Sequence, residues 1–169
     1  PGNHLDQAMA LLYGTDGNIY GAGFSMGQAS GYDFTVVSLD TDTVGNQNWT
    51  YRYNGGANLT DGALCLTQDL NGNIYAAGYT NSDTFLDIYT DLTVISLSPS
   101  GNERWVYTYN GPGNNTDLAT SIVCGDNGNL YLTGSSWGGN RKFDFIVISL
   151  DTTGNERWVF RYDLSLIHI

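Results

Sequence analysis

The phrase Asp16-Gly-Asn-Ile-Tyr-Gly-Ala-Gly23 returns as Asn71-Gly-Asn-Ile-Tyr-Ala-Ala-Gly78 and again as Asn127-Gly-Asn-Leu-Tyr-Leu-Thr-Gly134. A phrase that recurs at nearly constant spacing restricts a chain to folds built from copies of one unit. Asp6, Asp61 and Asp117 open the units at separations of 55 and 56 residues. Twelve positions later comes the asparagine of the phrase, at Asn18, Asn73 and Asn129, and tryptophan follows at Trp49, Trp105 and Trp158. Length varies in two places. The middle unit has three more residues than its sisters between Gly78 and Asp91, and the first unit has two more between Leu39 and Trp49. Insertions confined to such places mark them as loops between regular segments.

Each unit reads as four short strands, and no helical period is present. The first strand is AMALLYG, ALCLTQD or ATSIVCG, and an Asp-Gly-Asn or Asn-Gly-Asn turn of the two-residue hairpin kind leads into the quoted phrase. The third strand, FTVVSL, LTVISL or FIVISL, is apolar on both alternating sets and must be covered on both faces. The fourth alternates Trp158, Phe160 and Tyr162 with Val159 and Arg161, as an edge strand with one partly wet face does. Small residues recur in the first strand, at Ala8, Ala63 and Ala119 and at Ala10, Cys65 and Ser121. A sheet small at one edge and bulky at the other is a wedge, and wedges stacked face to face fan around an axis. The expected fold is therefore all-β, a β-propeller with three four-stranded antiparallel blades over 6–60, 61–116 and 117–163.

Closed propellers need about four to eight blades, so residues 1–163 are expected to form part of an incomplete one. The stretch Pro1–Asp6 matches Pro112–Asp117, which puts the start of the chain inside an inter-blade connection. Residues 164–169 fit no column and read as a non-native tail. An unclosed stack has two open apolar faces, and the segment alone is expected to self-associate.

The stretches FDFIVISLDTTGNERWVFRY and TDLATSIVCGDNGNLYLTGSS resemble the SBBP β-propeller repeat of bacterial and archaeal extracellular proteins. The resemblance covers the chain from about Gly2 to Tyr162. It implies a secreted or surface-anchored propeller of about seven blades. It implies no family-wide active site, so it assigns no catalytic residue. The phrase SLDTTGNERW also resembles the tryptophan-docking segment of quinoprotein propellers, in which the tryptophan packs between blades.

The net charge of −11 argues against nucleic acid or an anionic membrane surface as a partner. The 22 glycines lack a collagen period and accompany ordinary apolar content, as expected of a turn-rich globular chain. No apolar run is long enough for a membrane span. Cys65 and Cys124 stand in different columns, so both read as free buried thiols.

No reaction chemistry is visible in these residues. Two histidines, His4 and His168, supply no Ser-His-Asp set or His-rich metal spacing, and His168 lies in the tail. No cofactor is expected. A ring of Asp6, Asp61 and Asp117 near the axis is an arrangement that suggests Ca²⁺, and turn aspartates accepting backbone N–H bonds explain it better. The stretches DLNGN and GDNGN faintly resemble calcium loops but lack the alternating acids and closing Glu, and hairpin turns explain them. Asp33, Asp91 and Asp144 likewise read as turn acceptors.

Residues outside the repeat columns are the better binding candidates, because the architecture does not require them. They are Phe24 and Tyr32 in the first unit's long loop, Phe85 and Tyr89 in the second, and Trp137, Arg141 and Lys142 in the third. Such loops emerge on one propeller face, and Trp, Tyr and Arg are typical contact residues. The alternative is that the aromatics fold down over the blade ends. The functional expectation is a non-enzymatic, extracellular or cell-surface prokaryotic scaffold that binds protein or glycan through these loops and adjoins further blades of its parent chain. The competing expectation is a fragment of a propeller lyase, glycosidase or quinoprotein with its active site largely in other blades.

Overall fold

Alternating apolar residues and glycine-marked turns give twelve strands in the computed structural model, which describes residues 5–27, 31–42, 45–81, 89–139 and 142–163. The first sheet comprises β1 (Gln7–Tyr13), β2 (Ile19–Met26), β3 (Tyr32–Leu39) and β4 (Gln47–Tyr53). The second comprises β5 (Gly62–Gln68), β6 (Ile74–Asn81), β7 (Thr90–Leu97) and β8 (Glu103–Tyr109). The third comprises β9 (Asp117–Cys124), β10 (Leu130–Trp137), β11 (Phe143–Leu150) and β12 (Glu156–Tyr162). Each sheet is a four-stranded antiparallel meander in chain order, and the described residues contain no helix. The inferred tail at 164–169 lies outside the described residues.

The turns differ from the two-residue hairpins that the sequence suggested. Gly14 N donates to Asn18 O at 2.8 Å while Gly17 N donates back to Gly14 O at 3.1 Å, so the loop holds three residues. The same pair of bonds joins Asp69 to Asn73 and Gly72, and Gly125 to Asn129 and Gly128. Gly17, Gly72 and Gly128 take φ between 78° and 84°, the left-handed position that ends a three-residue hairpin loop. An Asp-Gly-Asn signal announces the glycine's conformation but not the loop length around it.

The glycine that ends the quoted phrase has a steric cause. The first strand of every sheet carries a β-bulge, at Met9, Leu64 and Thr120, which pushes its backbone against the second strand. A Cβ on Gly23, Gly78 or Gly134 would overlap the carbonyl oxygen of Gln7, Gly62 or Leu118. No side chain fits there.

Two hydrophobic clusters join the sheets. Tyr20, Ala22, Phe34 and Val36 of the first pack with Ile74, Ala76, Ile95 and Leu97 of the second. Tyr75, Ala77, Leu92 and Val94 of the second pack with Leu130, Leu132, Ile148 and Leu150 of the third. Every sheet thus has a Tyr/Trp face and an Ile/Leu face, and the stack is head to tail. Burying one large apolar side chain contributes about 1.5–3 kcal/mol, so these two seams hold most of the hydrophobic stabilisation. Val106 and Val159 of the fourth strands pack into the seams too. The face read as partly wet is an inter-blade face wherever a neighbour is present.

In the turn after β5, Asp69 Oδ1 accepts from Asn71 N at 2.9 Å and Asn73 N at 2.8 Å. Its Oδ2 accepts from Asn73 Nδ2 at 2.8 Å and the Tyr75 hydroxyl at 2.9 Å. Burial by itself would raise the Asp69 carboxyl, but these bonds outweigh it and hold the group below its ordinary 3.8.

Gly78→Ala should destabilise the fold by about 3 kcal/mol through overpacking. Gly21→Ala, in the column where the second blade already has Ala76, should change stability by less than about 1 kcal/mol; thermal unfolding of both variants separates the steric cause from mere glycine content. Asp69→Asn should cost about 2 kcal/mol at neutral pH, the worth of hydrogen bonds to a charged group. Because the native carboxyl is depressed, its contribution is complete above 3.8 and is lost as pH falls through the native value. The melting-temperature gap between wild type and Asp69→Asn should therefore narrow in strong acid.

Candidate functional site

The ends of the second strands meet the inter-blade connections at one end of each blade. There the aspartates that open the units act as clamps. Asp61 accepts from Gly55 N at 2.7 Å and from Asn81 N at 2.9 Å, tying the connection to the end of β6. Asp117 does the same with Gly111 N at 2.8 Å and Trp137 N at 3.2 Å, and Asp6 accepts from Met26 N at 3.2 Å. Asp61 and Asp117 are fully buried. Burial raises the Asp61 carboxyl, the two backbone bonds pull it down, nearby Asp33 adds to the rise, and the net shift is upward. Both oxygens of these two aspartates are occupied by backbone donors. Among the described residues no three His, Cys, Asp or Glu side chains come together as a metal site.

Two aspartates of the second column take arginine partners beyond the turn-acceptor role expected of them. Asp33 pairs with Arg52 at 2.9 Å and Asp144 with Arg161 at 2.6 Å. Arg161 also donates to Ser136 Oγ at 2.6 Å and to the Tyr109 hydroxyl of the preceding blade at 3.0 Å. These ion pairs fasten the fourth strand to the start of the third.

Three of the candidate aromatics stand at this end, and on strand ends rather than in the loops expected of them: Phe24 within β2, Tyr32 at the start of β3 and Trp137 at the end of β10. Phe24 and Tyr32 meet edge to face with centroids 5.3 Å apart. Trp137 does the same at 5.0 Å, but with Phe143, which the sequence reading passed over. The signal for Phe143 was available: an aromatic residue directly precedes the aspartate in both the first and third units, as Tyr32-Asp33 and Phe143-Asp144. Trp137 also lies on the connection, since a Cβ on Gly113 would stand 2.6 Å from its Cδ1. Phe24, Tyr32, Tyr89 and Trp137 are all half-buried, and Lys142 is exposed. The candidates Phe85 and Arg141 lie outside the described residues. The rings are thus propped against the blade ends with one side open, between the two alternatives that the sequence left.

Two clefts open beside the described strands. One of about 460 Å³ opens on the uncovered face of the first blade, beside Ala8, Val37, Thr50 and Arg52. The other, about 410 Å³, lies between the second and third blades near Asp69, Cys124, Asp126 and Thr152. Both cysteines are free and half-buried rather than fully buried. Burial pushes the Cys65 thiol up to about 12, and burial with the Asp69 and Asp126 charges raises that of Cys124. Neither supplies a thiolate at neutral pH. No helix among the described residues is long and apolar enough to cross a membrane.

No curated protein matches the chain significantly. Residues 66–85, from the end of β5 through the repeated phrase and β6, match the family model described as a beta-propeller repeat, SBBP. The middle blade carries an SBBP β-propeller repeat, and the sheets on either side repeat its four strands in the same order.

Proposed function

We propose that the chain is part of a non-enzymatic β-propeller scaffold, secreted or displayed on a prokaryotic cell surface, that binds a protein or glycan surface through the loops at one end of its blades. The parent propeller has about seven blades, as the family resemblance implies. The observation that carries the reading is the pair of edge-to-face aromatic contacts, Phe24–Tyr32 and Trp137–Phe143, half-open at the same end of two blades. Rigid aromatic rings on a fixed framework offer contact area at little entropic cost, and the exposed Lys142 beside them supplies a donor. The non-enzymatic part of the reading is supported by how the carboxylates are used. Asp61 and Asp117 are spent on backbone donors, and Asp33 and Asp144 on arginines.

Screening the chain against immobilised polysaccharides and surface proteins tests the proposal. Trp137→Ala should weaken any binding found by about 30-fold, the loss of about 2 kcal/mol typical of a contact hot spot. Its effect on melting temperature should be small beside that. Binding indifferent to Trp137→Ala and Phe24→Ala would remove this surface as the site.

A further inference from the structure

Three stretches carry the Asn-x-Thr pattern that oligosaccharyltransferases recognise: Asn48-Trp49-Thr50, Asn58-Leu59-Thr60 and Asn114-Asn115-Thr116. Asn58 and Asn114 occupy one column of the repeat, in the connections that link the first blade to the second and the second to the third. All three asparagines are exposed, but the fold uses their side chains in two different ways.

Asn58 and Asn114 sit in matched turns. Asn58 N donates to Gly55 O at 3.2 Å and Asn114 N to Gly111 O at 3.0 Å, and the two residues take positive φ of 55° and 45°. The side-chain oxygen of each is used inside the turn, where it accepts from Asn54 Nδ2 or Asn110 Nδ2 at 2.6 Å. The Nδ2 atoms of Asn58 and Asn114 have no hydrogen-bond partner among the described residues. That nitrogen is the atom a glycan joins. Asn48 is the opposite case. Its Nδ2 donates to Asn18 Oδ1 at 3.2 Å and to Ser38 Oγ at 3.3 Å, in the column from which Arg104 donates to Ser96 and Arg157 to Ser149. A glycan on Asn48 would displace both bonds. Its Thr50 also stands in the column of Val106 and Val159, which pack into the seams.

The turn accounts for the asparagine, which tolerates the left-handed region. It does not account for the threonine. In the first unit the same column holds Asn3, with Leu5 two places on, so the repeat keeps the asparagine without the hydroxyl. The Thr60 hydroxyl makes no hydrogen bond among the described residues.

We infer that Asn58 and Asn114 are acceptors for Asn-linked glycans and that Asn48 is not. In the transfer, Nδ2 bonds to C1 of a sugar carried on a lipid-linked phosphate donor. The bond from C1 to the phosphate oxygen breaks, the lipid phosphate leaves, and the amide gives one proton to a base of the transferase. Both sites flank the aromatic end of the blades. Asn58 O accepts from Gly31 N, beside Tyr32, at 3.4 Å, and Asn114 follows Gly113, against which Trp137 packs. The inference rests on the extracellular part of the proposed function, because such donors act on exported chains, and not on what the loops bind.

Export of the full chain through a cleavable leader, from a host with Asn-linked transfer, tests it; a terminal Asn-x-Thr tag serves as internal control. Intact mass and glycopeptide mapping of the folded, secreted protein should show glycans on Asn58, Asn114 and the tag, with Asn48 bare. Thr60→Ala and Thr116→Ala should each remove one glycan, whereas Thr60→Ser should keep it. Circular dichroism of each variant checks that the sheets persist. An occupied tag with Asn58 or Asn114 bare would overturn the inference, and so would a glycan on Asn48 of the folded protein. Because the leader supplies export, neither result bears on where the parent protein resides.

Discussion

The fold depends on one kind of contact, the Tyr/Trp face of one sheet against the Ile/Leu face of the next. A four-stranded sheet whose third strand is apolar on both sides cannot be satisfied by water on either. Phe34, Val36, Leu92, Val94 and Ile95 are fully buried only because another sheet lies over them. Their counterpart Phe145, in the last blade, is about half exposed although its strand is equally regular. Blade structure and blade stacking are therefore not separate events energetically. The sheet supplies the surface, and the neighbour supplies the reason for it to be flat and greasy.

Polar groups fix the stack in register. Tryptophan indoles donate across the seam, Trp49 to Pro99 O at 3.0 Å and Trp105 to Thr152 O at 3.1 Å. The Tyr51 and Tyr107 hydroxyls bond to Glu103 and Glu156 beside those same turns. At the opposite end of the strands, the buried aspartates close the inter-blade connections. Apolar faces alone would slide, whereas directional bonds at the two ends of each strand specify a single alignment.

The sequence revealed the strands because a period of two, broken by glycine turns, leaves little else for the residues to be. It revealed the wedge because small residues recur in one strand and bulky ones in another. The bulges at Met9, Leu64 and Thr120 were not legible, since an extra residue leaves no compositional mark; only the obligatory glycine opposite betrays it. The Arg52–Asp33 pair was missed for a different reason. Its members lie in separate columns of the repeat, and only strand register places one beside the other. Of the seven candidate contact residues, aromatic character and an expected loop position nominated Trp137, which in fact ends β10, but not its partner Phe143, which opens β11 inside a run that reads as strand.

The two faces of a blade differ, and this has a bearing on how such chains grow. A unit that meets its neighbours through unlike surfaces carries both halves of the joint within itself. Copying it once in tandem inserts a segment already matched on either side, with no new surface to be invented. An isologous pairing could not be extended in this way, because two like surfaces satisfy each other and stop. Near-identical phrases spaced by 55 and 56 residues are what repeated copying of such a unit leaves behind.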